Sequence, residues 1–181
     1  GSPYAVKDYY QVDPDMAVNP ANRLEEFEAL INRTHQAGLK VIIDIVPNHV
    51  ARKYESLNTP RYTVPFGAND DTSVAYAKNN NFYYIPGTDF KVPQWENGYV
   101  PLGEKSASAD AQFTESPAKW TGNGARDAQP AQNDWYETVK INYGVSPEEH
   151  KDFDSLPEDA GHWDHQKHFD FWKDKDVPAS W

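Results

Sequence analysis

The sequence contains no cysteine, which excludes a disulfide framework and any thiolate metal site and leaves the redox compartment open. It also has no apolar run approaching the roughly 20 residues that span a bilayer. Residues 1–20 lack the basic start and apolar core of a secretory leader, although a leader upstream of Gly1 stays open. Positive charge is scarce: 17 Lys and Arg stand against 28 Asp and Glu, for a net charge of -11 and a pI near 4.9. Nucleic-acid binding asks for a basic stripe and anionic membranes for a basic face, so neutral substrates or cations fit this chain better. Apolar residues are few as well. A hydrophobic content of 38%, 14 prolines and a mean hydropathy of -0.85 make loop the dominant texture, around a thin, aromatic-rich core.

Within 181 residues there is room for one core, or one core and an appended subdomain. From Ala21 to Gly38 the spacing predicts a helix, with Leu24, Phe27, Leu30, Ile31 and Thr34 on one face and Glu25, Glu26, Glu28 and Arg33 mostly off it. Asn22 and Glu25 have the spacing of a capping box, and Gly38 suits the C-terminal cap. Residues Val41 to Val46 read as a strand covered on both faces, because a half-solvated strand would alternate polar and apolar residues. Helix, glycine turn and strand form half of an α/β unit.

Between Pro47 and Ser155 the texture changes to short β-like runs, such as "FYYIPG" and "WYETVKINYG", separated by Asn, Gly, Pro and Asp clusters. No helix-length apolar period is expected there. Residues Glu104 to Gln132 are small and polar enough for a long surface excursion. Helical spacing returns from Gly161 to Lys175, through Trp163, His168, Phe169, Phe171 and Trp172. His162, His165 and His168 share i to i+3 spacings that would put imidazoles on one helical face, but no cysteine or other partner accompanies them, so a helix is preferred over a metal site. Trp95, Trp120 and Trp135 read either as the core of a thin β subdomain or as the lining of a groove.

The stretch "GLKVIIDIVPNHV" places Asp44 inside the apolar run and ends it in Pro47, Asn48 and His49. "VIIDIVPNHV" is similar to the Asp-x-Val-x-Asn-His signature that closes strand 3 of the α-amylase superfamily of glycoside hydrolases. "SPYAVKDYYQVDP" resembles the loop after strand 2 of those (β/α)8 barrels, and "HWDHQKHFDFWKDKDV" resembles their helix 3. The resemblance covers essentially the whole chain. It implies an α/β fold: a partial TIM barrel with an irregular, β-rich domain B inserted between strand 3 and helix 3. Barrel segments would occupy residues 1–46 and 156–181, and domain B residues 47–155.

The same resemblance assigns roles. Asp44 would support the reacting sugar's subsite without doing chemistry, and His49 would hydrogen-bond a sugar hydroxyl, for which a neutral imidazole has one donor and one acceptor. Tyr4 would stack on the sugar's apolar C–H face, and Asp8 would orient neighbouring loop groups. Asn48 matches a position whose side-chain oxygen binds structural calcium in many members, a cation that prefers such oxygens at about 2.3–2.6 Å. Unranked co-ligands for it are Asp70, Asp71, Asp110, Asp127 and Asp134.

Retaining hydrolysis of a glycosidic bond needs two carboxyl groups about 5 Å apart, and in the resembled family these stand at the ends of strands 4 and 5. The family pattern Gly-Phe-Arg-x-Asp does not occur in the sequence, which reads "PASW" after "FWKDKDV". The expectation is therefore a piece of an enzyme that cleaves α-1,4 bonds of starch or maltooligosaccharides, inactive alone. Cyclomaltodextrinase, neopullulanase or α-1,6-glucosidase specificity, or a non-catalytic carbohydrate- or calcium-binding module, are the alternatives. The parent protein's compartment stays open between secreted, periplasmic and cytoplasmic, the first two slightly favoured, and no nucleic-acid or membrane partner is expected.

Overall fold

The computed structural model describes residues 3–93 and 114–148. The expected helix near 162–174, its three histidines, Trp95 and Asp110 lie outside the described residues. Helix α1 spans Arg23–Gln36, close to the predicted bounds. Its start differs from the expected capping box. Asn22 makes no side-chain cap, because it closes a 3-10 turn over Pro20–Asn22 whose own N-cap is Asn19. Glu26 does the work assigned to Glu25: its two carboxylate oxygens accept from the backbone N–H groups of Val18 and Asn19, both at 2.8 Å. A carboxylate in the first turn also meets the positive end of the helix dipole.

At the other end the cap forms as expected. Gly38 adopts φ +76°, its N–H donates to His35 O, and Leu39 N–H donates to Thr34 O. That pair of bonds is a Schellman closure, which needs a left-handed residue at the glycine position. The apolar stripe of α1 finds little cover: Phe27 and Ile31 are half-buried, whereas Leu24 and Leu30 are exposed.

The strand expected over 41–46 is not formed. No strand among the described residues lies beside it, so its backbone has no ladder to join and its side chains have no second layer. Ile42 is 94% exposed, and Ile43 and Ile45 are exposed as well. Among the described residues, strand pairing begins at β1, His49–Ala51.

β1 runs antiparallel to β4, Thr138–Lys140, with His49 opposite Lys140 and Val50 opposite Val139. β2, Tyr84–Ile85, runs antiparallel to β3, Ala118–Lys119. Single bridges between Phe82 and Ile141 and between Thr121 and Val139 join the two ladders. Val50, Phe82, Tyr84, Val139 and Ile141 form one buried cluster, with Tyr54 and Phe66 against it. Phe90, Ala118 and Tyr136 form a second. Residues 47–93 and 114–148 contain no helix, in keeping with the expected texture of that region.

Candidate functional site around His49

The segment leading into β1 is irregular, and side chains from distant loops hold it. Tyr9 Oη donates to Val46 O, Tyr143 Oη donates to Pro47 O, and Ile141 N–H donates to Asn48 O at 3.1 Å. The Tyr9 ring packs against Tyr54 and Phe66, and burial pushes its phenol up to about 12. Ala51 N–H reaches back to Val6 O at 2.8 Å. These bonds bring the Tyr4-to-Tyr10 loop onto β1.

His49 is buried at the start of the strand. Asn48 Nδ2 donates to its Nδ1 at 2.9 Å, which in a neutral ring puts the proton on Nε2. Desolvation lowers the pKa of His49 below its ordinary 6.5; a hydrogen bond with the Tyr4 backbone pulls it up, and the Lys140 charge pushes it down. The result is an imidazole held neutral at neutral pH. The Trp135 indole stands edge-on to it, with ring centroids 5.2 Å apart, and is 52% exposed. Tyr4, whose backbone reaches the imidazole, is 59% exposed, so one exposed indole stands beside a buried, polar ring and an exposed tyrosine lies on the segment bonded to it.

Both ends of the Asn48 carboxamide are engaged. Besides His49, its Nδ2 donates to Gly122 O at 2.8 Å, and its Oδ1 accepts from Lys140 Nζ. Gly122 is required there: a Cβ would lie 2.2 Å from Thr138 Oγ1 and 3.0 Å from His49 Cβ.

Of the expected site residues, the structure brings Tyr4, Asn48 and His49 together. Asp8 lies nearby on the same loop, where its carboxylate accepts from Tyr10 N–H and Leu57 N–H, both at 2.8 Å. Asp44 is exposed and makes no hydrogen bond or ion pair with the described residues. The Asn48 oxygen already faces an ammonium, and among the described residues no group of three or more His, Cys, Asp or Glu assembles. Asp70 accepts from Asn81 N–H, Phe82 N–H and Tyr84 Oη; Asp71 holds Ser73; Asp134 holds Asn123 and Ala131.

Lys140 and Gly122 were not among the residues singled out from the sequence. A lone lysine between Val139 and Ile141, on a β-like run, is the available signal for Lys140: a charge at a mostly apolar strand needs a partner. The tryptophans divide. Trp120 is buried, stacked on Tyr83 at 4.5 Å, so it is core, whereas Trp135 is the one beside His49. A separate open cleft of about 480 Å³ lies between Lys53, Phe66, Glu115 and Lys119. None of the five expected site residues lines it.

The chain belongs to the α-amylase catalytic-domain family, which it matches over residues 2–146. That membership implies a TIM-barrel-type fold. Over 52 residues the chain is 40% identical to Maltase 1 of Drosophila virilis, a stretch that makes up 29% of this chain and 7% of the maltase. Over 103 residues it is 33% identical to trehalose-6-phosphate hydrolase of Bacillus subtilis strain 168, covering 57% of this chain and 14% of the hydrolase. Over 51 residues it is 41% identical to the amino acid transporter heavy chain SLC3A1 of Homo sapiens, covering 28% of this chain and 7% of the heavy chain. The matched stretches thus span no more than 14% of these relatives. No solved structure matches the chain.

Proposed function

We propose that the chain is the sugar-binding segment of an α-glucan hydrolase, with residues 1–46 and 156–181 belonging to the barrel and residues 47–155 forming domain B. The observation that carries this reading is the assembly at His49: a neutral imidazole, hydrogen-bonded to the backbone of the exposed Tyr4 and edge-on to the exposed Trp135 ring. Such rings suit the apolar faces of a pyranose, and a neutral imidazole suits its hydroxyl. Asp44 is kept in this reading as the acid beneath the reacting sugar, and Asp8 as the group that positions the Tyr4 loop. The substrate class is a starch-like glucan or maltooligosaccharide, and the reaction of the whole protein is retaining hydrolysis of α-1,4 bonds. The maltase and trehalose-6-phosphate hydrolase among the relatives support hydrolysis of a glucoside. They leave cyclomaltodextrinase, neopullulanase and α-1,6-glucosidase specificities within the same reading.

A second reading is favoured by the transporter heavy chain, since a relative as similar as the maltase carries a name that denotes transport. Under it the segment serves a non-catalytic member. Among the described residues no helix is long and apolar enough to cross a membrane. Retention of the chain on immobilised starch, compared with its Tyr4→Ala and His49→Ala variants, tests the sugar site. Loss of retention in both variants is expected. Equal retention of all three, or none for the unaltered chain, would refute it.

A further inference from the structure

We propose that Lys140 is a built-in cation at the base of the small sheet, occupying with its ammonium the oxygen that a divalent metal would otherwise bind, so that closure of β1 onto β4 is independent of calcium. The first observation is the orientation of the Asn48 carboxamide. Its amino group donates to two acceptors, Gly122 O at 2.8 Å and His49 Nδ1 at 2.9 Å, and these fix which way the amide points. Its oxygen is thereby presented to Lys140 Nζ, which donates to it. The amide cannot turn to offer its oxygen elsewhere without giving up both bonds.

The second observation is the ladder. Lys140 is the cross-strand partner of His49, and directly opposed residues share a face. The backbone of Lys140 is fixed on the other side by its N–H bond to Trp120 O at 3.1 Å. The ammonium is therefore delivered to Asn48 from a strand that is paired on both edges, and its charge is felt at His49. The third observation is the employment of the acids. Calcium takes roughly six to eight oxygens. Asp70, Asp71 and Asp134 are spent on backbone and side-chain donors of their own loops, while Asp127 is exposed. A dication at Asn48 would have to expel the ammonium, and Asp70, Asp71 or Asp134 could join it only by giving up their present donors.

A lysine in this role does for the fold what a metal does by ligation: it links the segment before β1 to β4 through a charge-assisted hydrogen bond. Unlike a metal, it needs no free ion and cannot be removed by a chelator. Binding to the folded state alone raises stability by mass action, so the two arrangements differ in a measurement that does not depend on catalysis.

The experiment is thermal unfolding of the full chain in millimolar calcium and in excess chelator, with a calorimetric calcium titration of the same sample. The melting temperature is expected to be the same in both, and the titration to show no site. Lys140→Met should lower the melting temperature in chelator by on the order of 5 °C, and Lys140→Arg should restore most of that loss. A rise in the unaltered chain's melting temperature with calcium, or a calorimetric calcium site, would overturn the proposal. So would a Lys140→Met variant that melts with the unaltered chain. If Lys140→Met does not fold, the calcium titration of the unaltered chain still decides.

Discussion

Arg52 and Glu115 form an ion pair inside the small sheet, with 3% and 4% of their side chains exposed. The pair ties β1's end to the segment that enters β3. Arg52 also donates to Tyr136 O and Lys119 O and lies over the Phe90 ring at 3.8 Å. Glu115 Oε1 accepts in addition from Lys119 N–H at 2.8 Å. Burial pushes the guanidinium down to about 10, against the pull of Glu115, so it stays charged at neutral pH. Nε, Nη1 and Nη2 of Arg52 each have an acceptor, which is the condition under which a buried charge is tolerated.

Removing one partner should therefore cost much more than a surface salt bridge would. Glu115→Gln is expected to lower the unfolding free energy by about 3–5 kcal/mol, read as a fall in the urea midpoint. A double variant, Arg52→Met with Glu115→Leu, should recover only part of the loss. The carbonyls of Tyr136 and Lys119 would keep no donor from residue 52. A Glu115→Gln variant that unfolds at the unaltered midpoint would show that the pair contributes nothing net.

Gly122 gives a second, steric prediction. The Cβ of Gly122→Ala would meet Thr138 Oγ1 at 2.2 Å and His49 Cβ at 3.0 Å, so the alanine is expected to cost about 1–3 kcal/mol. Thr138→Ala removes the nearer obstacle, though it also removes the Thr138 Oγ1 bond to Trp135 O. The pair of substitutions should melt above Gly122→Ala with Thr138 intact. A pair that melts below it would place the strain elsewhere.

Asp8 yields a local prediction. Its carboxylate is the bridge between Tyr10 N–H and Leu57 N–H, and hydrogen bonds to a charged acceptor are worth about 1.5–3 kcal/mol. Asp8→Ala should speed amide exchange at Leu57 and Tyr10 and leave exchange at Val139, in the sheet, nearly unchanged. Unaltered exchange at Leu57 would mean that the loop is held by other contacts.

The local signals in the sequence translated unevenly into structure, and the reasons are physical. Helix α1 was legible because its period, its acidic first turn and Gly38 are encoded within the element itself. The strand at 41–46 was not. An apolar run broken only by Asp44 declares that it wants cover on both faces, but says nothing about whether neighbours are present to supply it. At the site, "PNHV" pointed to Asn48 and His49, and the family resemblance to Tyr4. The partners that set their chemistry come from far along the chain: Lys140 is 92 residues from Asn48 and Gly122 is 74. Contacts at such separation leave no periodic trace, so only the oddity of a lysine in an apolar run hinted at one of them.

Tyr84 supplies a prediction for alkaline pH. Its hydroxyl donates to Asp70 Oδ2 at 2.8 Å, and its ring belongs to the core beside Phe82 and Val50. Burial, first, and then the Asp70 carboxylate raise its pKa above the ordinary 10.0. An acid whose folded pKa is raised binds its proton more tightly in the native state than in the unfolded chain. Its contribution is therefore fully present below about pH 10, the unfolded value, and is lost as pH rises from there towards the folded pKa. Tyr84→Phe removes both the hydrogen bond and the titration. At neutral pH the variant should be less stable, since a donor to a carboxylate contributes about 1.5–3 kcal/mol, although Asp70 keeps its bonds from Asn81 and Phe82. Above pH 10 the difference should shrink, because only the unaltered chain loses this contribution. Urea midpoints of the two proteins measured from pH 7 to pH 11 would show converging curves. Parallel curves across that range would mean that Tyr84 does not hold its proton more tightly in the fold than out of it.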